Sequence, residues 1–224
     1  MDTDSAEDSR TVTRLEAQKK DPNRVSVFVD GSFAFGVHVD LVVRFQLKKG
    51  LELDDATEQA IVRADEEMKA RARAWRYVAR RPRTREEVAR MLGRAEYAPD
   101  VIEDVLHYFE EQGELDDAAY AEQYARERFR LKGHGPMRIR QDLRKKGVSS
   151  SAIEAALDAL VSSVDLASKA REHAEKRWPR VAREEDALRR KKKLTDYLRR
   201  RGFSFDVIRP IVEELEAGHP SHGV

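Results

Sequence analysis

One spacing of apolar residues occurs three times along the chain and predicts a tandem array of small helical units. Offsets of 51 and then 55 residues align five apolar positions: Val88, Leu92, Ile102, Leu106 and Phe109; Ile139, Leu143, Ile153, Leu157 and Leu160; Leu194, Leu198, Ile208, Val212 and Leu215. Steps of three and four residues place such side chains on one face of a helix, and a recurring helical unit indicates a stacked array. Gly147 and Gly202 also align, whereas Glu96 occupies that position in the first unit. We therefore expect the first unit to close its second helix differently.

Upstream of the repeats the apolar period changes to two, which predicts a β-hairpin. Val25, Val27 and Val29 alternate with other residues before Asp30-Gly31, a pair that favours a type I′ turn because both central positions need positive φ. Phe33–Val39 supplies the return strand, a short helix follows at Leu41–Leu47, and Leu51–Leu53 could extend the hairpin. Asp54 is then expected to cap a charged helix.

Capping and breaking signals divide each repeat into three helices. Thr84–Glu87 and Ser151–Glu154 have the capping-box pattern, in which a hydroxyl and a carboxylate bond reciprocally to helix-start amides. Other boundaries are predicted at Pro99-Asp100, at Gly113, at Asp116-Asp117, at Gly133–Pro136 and at Trp178-Pro179. A charged insertion, Arg180–Asp186, accounts for the longer second offset.

Together these patterns predict a mainly α fold: an elongated, right- or left-curved array of three tandem three-helix repeats, preceded by a small N-terminal β-hairpin plus helix. The predicted segments are a disordered arm at 1–23, the hairpin and helix module at 24–70, repeats at 71–114, 115–163 and 164–217, and a frayed tail at 218–224. The arm is assigned because its residues are polar and end at Pro22-Asn23.

Composition narrows the possible classes of protein. Charged residues make up 38% of the 224, against roughly 25% in ordinary globular proteins, but periodic apolar positions favour helices with small cores over disorder. The absence of cysteine excludes disulfides and thiol chemistry. Neither HxxxH nor HExxH spacing occurs among the six histidines, so we expect no metal and no cofactor. No apolar run approaches the ~20 residues of a membrane helix, and no signal peptide is evident, which predicts a cytoplasmic protein without membrane contact.

Charge is segregated by helix, although the net charge is only +1. The segments 71–90, 122–146 and 168–201 carry +6, +6 and +8, whereas 99–119 carries −8. If the units stack in one direction, their basic first and second helices form a stripe suited to a polyanion or an acidic protein surface. The alternative is that these are solvated faces, and that the acidic third helices pair with basic neighbours.

The candidate contact residues are fourteen cations in or close to these segments. They are Arg90, Arg94, Arg128, Arg130, Lys132, Arg138, Arg140, Arg144, Lys145, Lys146, Lys193, Arg199, Arg200 and Arg201. Aromatic residues such as Tyr120, Tyr124 and Trp75 could stack on bases, but their helical spacing favours core positions. Gly133-His134-Gly135 lacks the GxxxxGK[ST] pattern and a preceding strand, so a turn is favoured over a phosphate loop.

The order of four segments resembles the bacterial RecX family of RecA regulators: VSVFVDGSFAFGV, YVARRPRTREEVARML, VIEDVLHYFEEQGELDDAAYAEQYARERF and GHGPMRIRQDLRKKGVSSSAIEAAL. The match spans about residues 24–215, and members of the family contain three tandem three-helix repeats. The resemblance implies a non-enzymatic protein that binds the RecA–DNA filament and inhibits recombinase and ATPase activity. Homologous recombination, DNA repair and the SOS response are the implied processes.

Two other classes of function are considered beside this one. Repeated helix-turn-helix-like units with basic helices would also suit a stand-alone DNA-binding module. An enzyme is disfavoured because every paired carboxylate, such as Asp116-Asp117, has a simpler role as a cap or solvated charge. The expected partners are thus the RecA filament and single- and double-stranded DNA, and the expected state is a monomer.

Overall fold

The structure, a computed structural model, describes residues 10–218. Within that range the chain divides into two compact units, which are described separately. The first unit consists of the described residues up to Arg81 together with Ala89–Glu111, and the second consists of Pro82–Val88 together with residues 112–218. The predicted frayed tail, apart from Gly218, and the first nine residues of the predicted arm lie outside the described residues.

A four-stranded antiparallel sheet begins the first unit. Its strands are β1 (Arg10–Gln18), β2 (Asp21–Val29), β3 (Ser32–His38) and β4 (Glu52–Leu53), in the order β3-β2-β1-β4. The hairpin prediction is confirmed: β2 and β3 pair, and Asp30 and Gly31 have φ of 49° and 83°. The short Leu51–Leu53 segment joins the sheet at β1, on the side away from β3.

The predicted disordered arm is wrong for residues 10–23. Arg10–Gln18 is a strand that pairs with β2 over almost its whole length, and Asp21 already belongs to β2. Val12 is fully buried and Leu15 packs on the same core, so two apolar side chains anchor an otherwise polar strand. Backbone hydrogen bonds to β2 also hold the strand in the sheet. Because backbone pairing does not require a particular pattern of side chains, it could not be recognised from the sequence.

Two helices complete the sheet module, α1 (Val39–Arg44) and α2 (Asp55–Val78). The side chain of Asp54 accepts a 2.6 Å hydrogen bond from the Thr57 amide, as predicted for a cap. Because α2 is one continuous helix of 24 residues, the predicted boundary between residues 70 and 71 falls in its interior. Ile61 and Ala64 of this helix pack on the sheet, whereas Trp75 lies 4.9 Å from the Phe109 ring, centre to centre.

The remaining helices fall into the predicted groups of three. They are α3 (Arg85–Gly93), α4 (Pro99–Glu111), α5 (Asp117–Glu127), α6 (Pro136–Lys145), α7 (Ser150–Ser163), α8 (Leu166–Val181), α9 (Ala187–Arg201) and α10 (Phe205–Ala217). The end of α2 with α3 and α4 supplies the first repeat, α5 to α7 the second, and α8 to α10 the third. Of the fifteen aligned apolar residues, all but Ile102 and Leu215 are buried, which confirms the offsets. The elongation and curvature of the array stay predictions.

Several helix boundaries test the capping predictions. The Thr84 box is confirmed, because the Glu87 amide donates to the Thr84 hydroxyl (3.2 Å) and the Thr84 amide to the Glu87 carboxylate (3.3 Å). The second predicted box is wrong: Ser149 caps α7, through the Ala152 amide. Pro179 does not end its helix, since α8 continues to Val181. Pro179 has no backbone N–H, so the helix loses one intrahelical hydrogen bond there, and it ends two residues later.

The expectation for Glu96 is also wrong. Its φ is 63°, in the left-handed region that Gly147 (81°) and Gly202 (95°) occupy. The Glu96 amide donates to the carbonyl three residues earlier and the next amide to the carbonyl five residues earlier, as at the two glycines. Helix closure is therefore the same in all three repeats, and the first accepts a strained non-glycine residue to achieve it.

Candidate docking surface

Repeats 2 and 3 meet backbone to backbone at the start of α6 and the end of α9. The Gly135 amide donates to the Arg201 carbonyl (2.8 Å) and the Met137 amide to the Gly202 carbonyl (3.0 Å). A Cβ atom on Gly135 would lie 2.5 Å from the Gly202 carbonyl carbon, so no larger residue fits without a shift. The C-terminal carbonyls of α9 thus satisfy N-terminal amides of α6, with the two helix dipoles head to tail.

An equivalent junction lies within the second unit between the end of α6 and the first turn of α3. The Thr84 hydroxyl donates to the Lys146 carbonyl (2.7 Å), and the Lys146 ammonium donates to the Glu87 carboxylate (3.1 Å). A Cβ atom on Gly147 would overlap the side chain of Glu86. In both junctions the left-handed glycine that closes one second helix touches the start of the preceding repeat's second helix. At these two contacts the end of one second helix therefore meets the start of the second helix of the preceding repeat.

The α6–α9 junction gathers cations around an open hollow. Its volume is about 430 Å³, and its lining includes Arg138, Arg199 and Arg200 together with Met137 and Gln141. The side of α6 that lines this hollow continues to Arg144 and Lys145, three and four residues beyond Gln141. We define the basic face as these five exposed cations: Arg138, Arg144, Lys145, Arg199 and Arg200.

Ion pairing inside the basic face is sparse. Arg138 has one contact to Asp142 on its own helix, with 3.4 Å between nitrogen and oxygen. Within residues 10–218, the other four cations of the face have no carboxylate at ion-pair distance. Their charges are therefore available to an external anion without the prior loss of a buried contact.

Other predicted contact residues are engaged within the protein. The Arg140 guanidinium donates two hydrogen bonds, of 2.8 and 2.6 Å, to Glu154 of α7, and this pair raises the pKa of Arg140 and lowers that of Glu154. Burial disfavours the charge on Lys146, but hydrogen bonds to Tyr120 and Glu87 outweigh it and raise its pKa. Arg201 donates to the Lys132 carbonyl (3.0 Å), and Lys193 pairs with Glu184.

These contacts show that the acidic helices do pair with basic neighbours in part. Besides Arg140 and Glu154, Arg171 of α8 makes a two-bond contact with Glu214 of α10. Arg63 of α2 pairs with Asp100 and Asp104 of α4 in the first unit. A cation therefore holds the acidic third helix in each case, from the same repeat in repeats 2 and 3 and from the earlier part of α2 in the first. The basic face consists of cations outside these pairs.

Five predicted contact residues lie elsewhere. Arg128 is half-buried, with its guanidinium 4.7 Å from the Tyr124 ring centre, and Arg130 and Lys132 are exposed on a π-helical turn, Arg128–Lys132. Arg90 and Arg94 are exposed in the first unit, Arg90 on α3 and Arg94 just after it. A role for all fourteen cations in contact with a partner stays a prediction.

The structure agrees with the simpler interpretations of two motifs. Tyr120 and Tyr124 stack with ring centres 6.0 Å apart and pack on the core of the second repeat. The Gly135 amide, which a phosphate loop would aim at its ligand, is occupied by the Arg201 carbonyl. Neither motif presents a separate site.

Sequence reasoning missed one buried cation with a structural role, Arg190. It is 9% exposed and donates to Glu216 of α10 (3.1 Å) and to the carbonyls of Glu184 and Glu185 (2.8 Å each). Arg190 thereby fastens the charged insertion to the third repeat. Its position four residues before the buried Leu194 is the only signal that could have marked it.

Two other kinds of site are absent from the described residues. Between residues 10 and 218 no helix is both long and apolar enough to cross a bilayer. In the same range no three side chains of histidine, aspartate or glutamate converge in a way that could hold a metal ion.

Comparison with known proteins identifies the family. Residues 10–54 match the domain described as "Regulatory protein RecX N-terminal domain", and residues 70–109, 116–157 and 165–212 match the first, second and third three-helix domains of RecX. The chain belongs to the RecX family. The N-terminal match begins at the first residue of β1, in keeping with the corrected start of the sheet.

Individual RecX proteins are similar over most of the chain. The "Regulatory protein RecX" of Bacillus subtilis is 34% identical over 92% of this chain and 77% of its own length, and that of Clostridium acetobutylicum is 32% identical over 93% and 97%. A crystal structure of regulatory protein RecX has a TM-score of 0.74 at 32% identity, covering 91% of this chain and 99% of that one. A RecX from Lactobacillus salivarius has a TM-score of 0.61 at 29% identity, with coverages of 69% and 99%. These similarities support a RecX-type regulatory role for the chain.

Proposed function

We propose that this protein binds the RecA–DNA filament through the basic face and inhibits its recombinase and ATPase activities. The observation that carries the proposal is the group of cations around the α6–α9 junction. Apart from the contact of Arg138 with Asp142 on its own helix, they lack acidic partners such as those of Arg140, Arg171 and Arg190. Arginine suits such a surface because its planar guanidinium bonds carboxylates and phosphates in two-bond geometry. Inhibition would follow from occupancy of the filament, without bond chemistry.

The junctions support a rigid docking surface. Two backbone hydrogen bonds and a glycine contact fix the end of α9 on the start of α6. The backbone positions of Arg138, Arg199 and Arg200 are therefore fixed relative to one another before binding. A preorganised surface loses less conformational entropy on association than a flexible one.

The same contacts disfavour the stand-alone DNA-binding alternative for α3 and α6. Helix-turn-helix proteins insert the N-terminal residues of a recognition helix into the major groove. At the start of α6 these positions face the end of α9, and at the start of α3 they face the end of α6. Neither helix offers the free N-terminus that this mode of binding requires.

An ATPase assay tests the regulator directly. RecA on single-stranded DNA is followed with and without this protein, and we expect hydrolysis to fall as the protein is added. Unchanged hydrolysis with the protein folded and in excess over RecA would remove the proposal.

A salt series on bare DNA separates the regulator from the DNA-binding module. We expect weak anisotropy changes on oligonucleotides that strengthen once RecA is present. Tight binding to bare DNA would favour the module instead, with a log–log salt slope of roughly −0.7 for each neutralised phosphate of a single strand.

A further inference from the structure

A second hollow, of about 400 Å³, lies between the end of repeat 2 and the start of repeat 3. Its apolar lining comes from Phe129, Leu160 and Val164, and its cationic lining from Arg126, Arg130 and Lys169. Leu160 is only 2% exposed and belongs to the core of the second repeat, whereas Phe129 and Val164 are half-buried against that core. The hollow therefore has an apolar floor continuous with a folded core and a rim of positive charge.

Irregular backbone shapes this hollow on both sides. On one side α5 ends in the π-helical turn Arg128–Lys132, which carries Phe129 and Arg130. On the other side α7 ends at Ser163, whose hydroxyl donates to the Leu160 carbonyl (2.9 Å), and Asp165 starts α8 two residues later. Single π-helical turns occur frequently at functional sites because they re-aim side chains at the expense of regular hydrogen bonding.

The carboxylates near the rim do not cancel its positive charge. Arg130 has no carboxylate at ion-pair distance in the described part of the chain, and Arg126 is 3.5 Å from Glu122. Lys169 shares Glu172 with Lys176, and the two ammonium groups lower the pKa of Glu172 to about 2. The carboxylate of Asp165 caps α8 by accepting a hydrogen bond from the Ser168 amide at 2.8 Å.

We propose that this hollow docks an acidic peptide segment of a partner protein that carries one large apolar side chain. The apolar side chain would cover Phe129, Leu160 and Val164, where removal of apolar surface from water favours binding. Carboxylates on either side of it would meet Arg126, Arg130 and Lys169. A volume of about 400 Å³ is at the small end of ligand pockets and suits a single anchoring residue.

Nucleic acid fits the hollow less well than a peptide. Base recognition on single strands uses aromatic rings as stacking surfaces. Here the floor includes two aliphatic side chains, and the one ring, Phe129, is half-buried in the core contact. The site is distinct from the basic face, so its test does not depend on filament binding.

A labelled peptide tests the site in the full chain. The probe is fluorescein-Gly-Gly-Asp-Glu-Phe-Glu-Asp, and its anisotropy is measured against protein concentration. We expect saturable binding that weakens at least tenfold when alanine replaces the phenylalanine of the probe, and that disappears when lysines replace its acidic residues. Tenfold corresponds to about 1.4 kcal/mol.

Two variants locate the binding. Ser163→Trp fills the hollow from an exposed position and is expected to weaken binding at least tenfold, and Arg130→Gln about threefold. Arg200→Gln removes one exposed cation of the basic face and should leave the Kd within twofold. Circular dichroism confirms that each variant is folded. Equal binding of the alanine probe, or an unchanged Kd in both Ser163→Trp and Arg130→Gln, would overturn the proposal.

Discussion

The two junctions between neighbouring second helices join equivalent ends with different chemistry. At the α6–α9 junction, backbone meets backbone, and Gly135 and Gly202 leave no room for a side chain. At the α3–α6 junction, a hydroxyl and an ion pair make the contact, through Thr84, Glu87 and Lys146. The comparison shows that the repeat determines which helix ends meet. The groups that form the hydrogen bonds differ from one junction to the other. The glycine junction should tolerate substitution least.

The largest effect is expected from Gly135→Ala. Its Cβ would lie within 2.8 Å of both the Gly202 carbonyl carbon and the Phe203 amide nitrogen, so the junction must open. We expect the free energy of unfolding to fall by about 3 kcal/mol, as for overpacked cores. Urea denaturation measures it, with Gly113→Ala as control, where φ is 71° and the space is open. The control should lose only about 1 kcal/mol, and equal losses would contradict the steric account.

Thr84→Val tests the side-chain junction and should have the second largest effect. It removes both the cap of α3 and the hydrogen bond to the Lys146 carbonyl, at nearly constant volume. A loss of about 2 kcal/mol is expected, measured in the same way. Ser149→Ala removes a cap alone and should lose about 1 kcal/mol. If the two variants lose the same amount, the contact to Lys146 contributes nothing.

Glu96→Gly sharpens the comparison at the third left-handed position. Glycine relieves the backbone strain at φ 63° but raises the conformational entropy of the unfolded chain. We expect the first effect to be larger, with a gain of about 0.5 kcal/mol in the free energy of unfolding. Glu213→Gly, at an exposed site inside α10, should instead lose about 1 kcal/mol. Destabilisation by Glu96→Gly would show that the glutamate side chain outweighs its strain.

Acid should loosen the glycine junction, with the smallest effect of the series. His134 precedes Gly135 in the chain, His173 of α8 lies 6.2 Å from the Phe203 ring, centre to centre, and both imidazoles are only half-buried. Burial lowers the pKa of His134 and of His173, although Asp142 and Glu172 oppose the shift. The unfolded chain then binds protons first, so stability is complete above the ordinary pKa of about 6.5 and is lost as pH falls below it. Unfolding midpoints at pH 7.5 and 5.5 measure the loss. His173→Gln should reduce the change in midpoint between the two pH values. An unchanged value would show that other groups cause the loss of stability.

Local signals predicted local structure well. The caps at Asp54 and Thr84 and the turn at Asp30-Gly31 depend on residues a few positions apart, and all three are confirmed. The two offsets predicted the repeats because each copy buries the same positions.

Contacts between distant residues could not be predicted in this way. β1 was missed because its cohesion comes from β2, and Arg140 was taken as a contact residue because its partner Glu154 lies on the next helix. A helical pattern identifies which face a cation occupies, but the choice between an internal carboxylate and an external anion depends on neighbouring elements. For the same reason, the spacing of residues in the sequence could not predict the hollows that form between repeats.

Sedimentation of this protein with RecA–DNA filaments tests the basic face most directly. The triple variant Arg138→Gln, Arg199→Gln and Arg200→Gln removes the cations around the α6–α9 hollow. Its matched control, Lys19→Gln, Lys48→Gln and Lys49→Gln, removes the same charge from exposed positions of the sheet module. We predict at least tenfold weaker binding, or about 1.4 kcal/mol, for the first variant and a change within twofold for the second. Equal binding by both variants would contradict the assignment of the basic face.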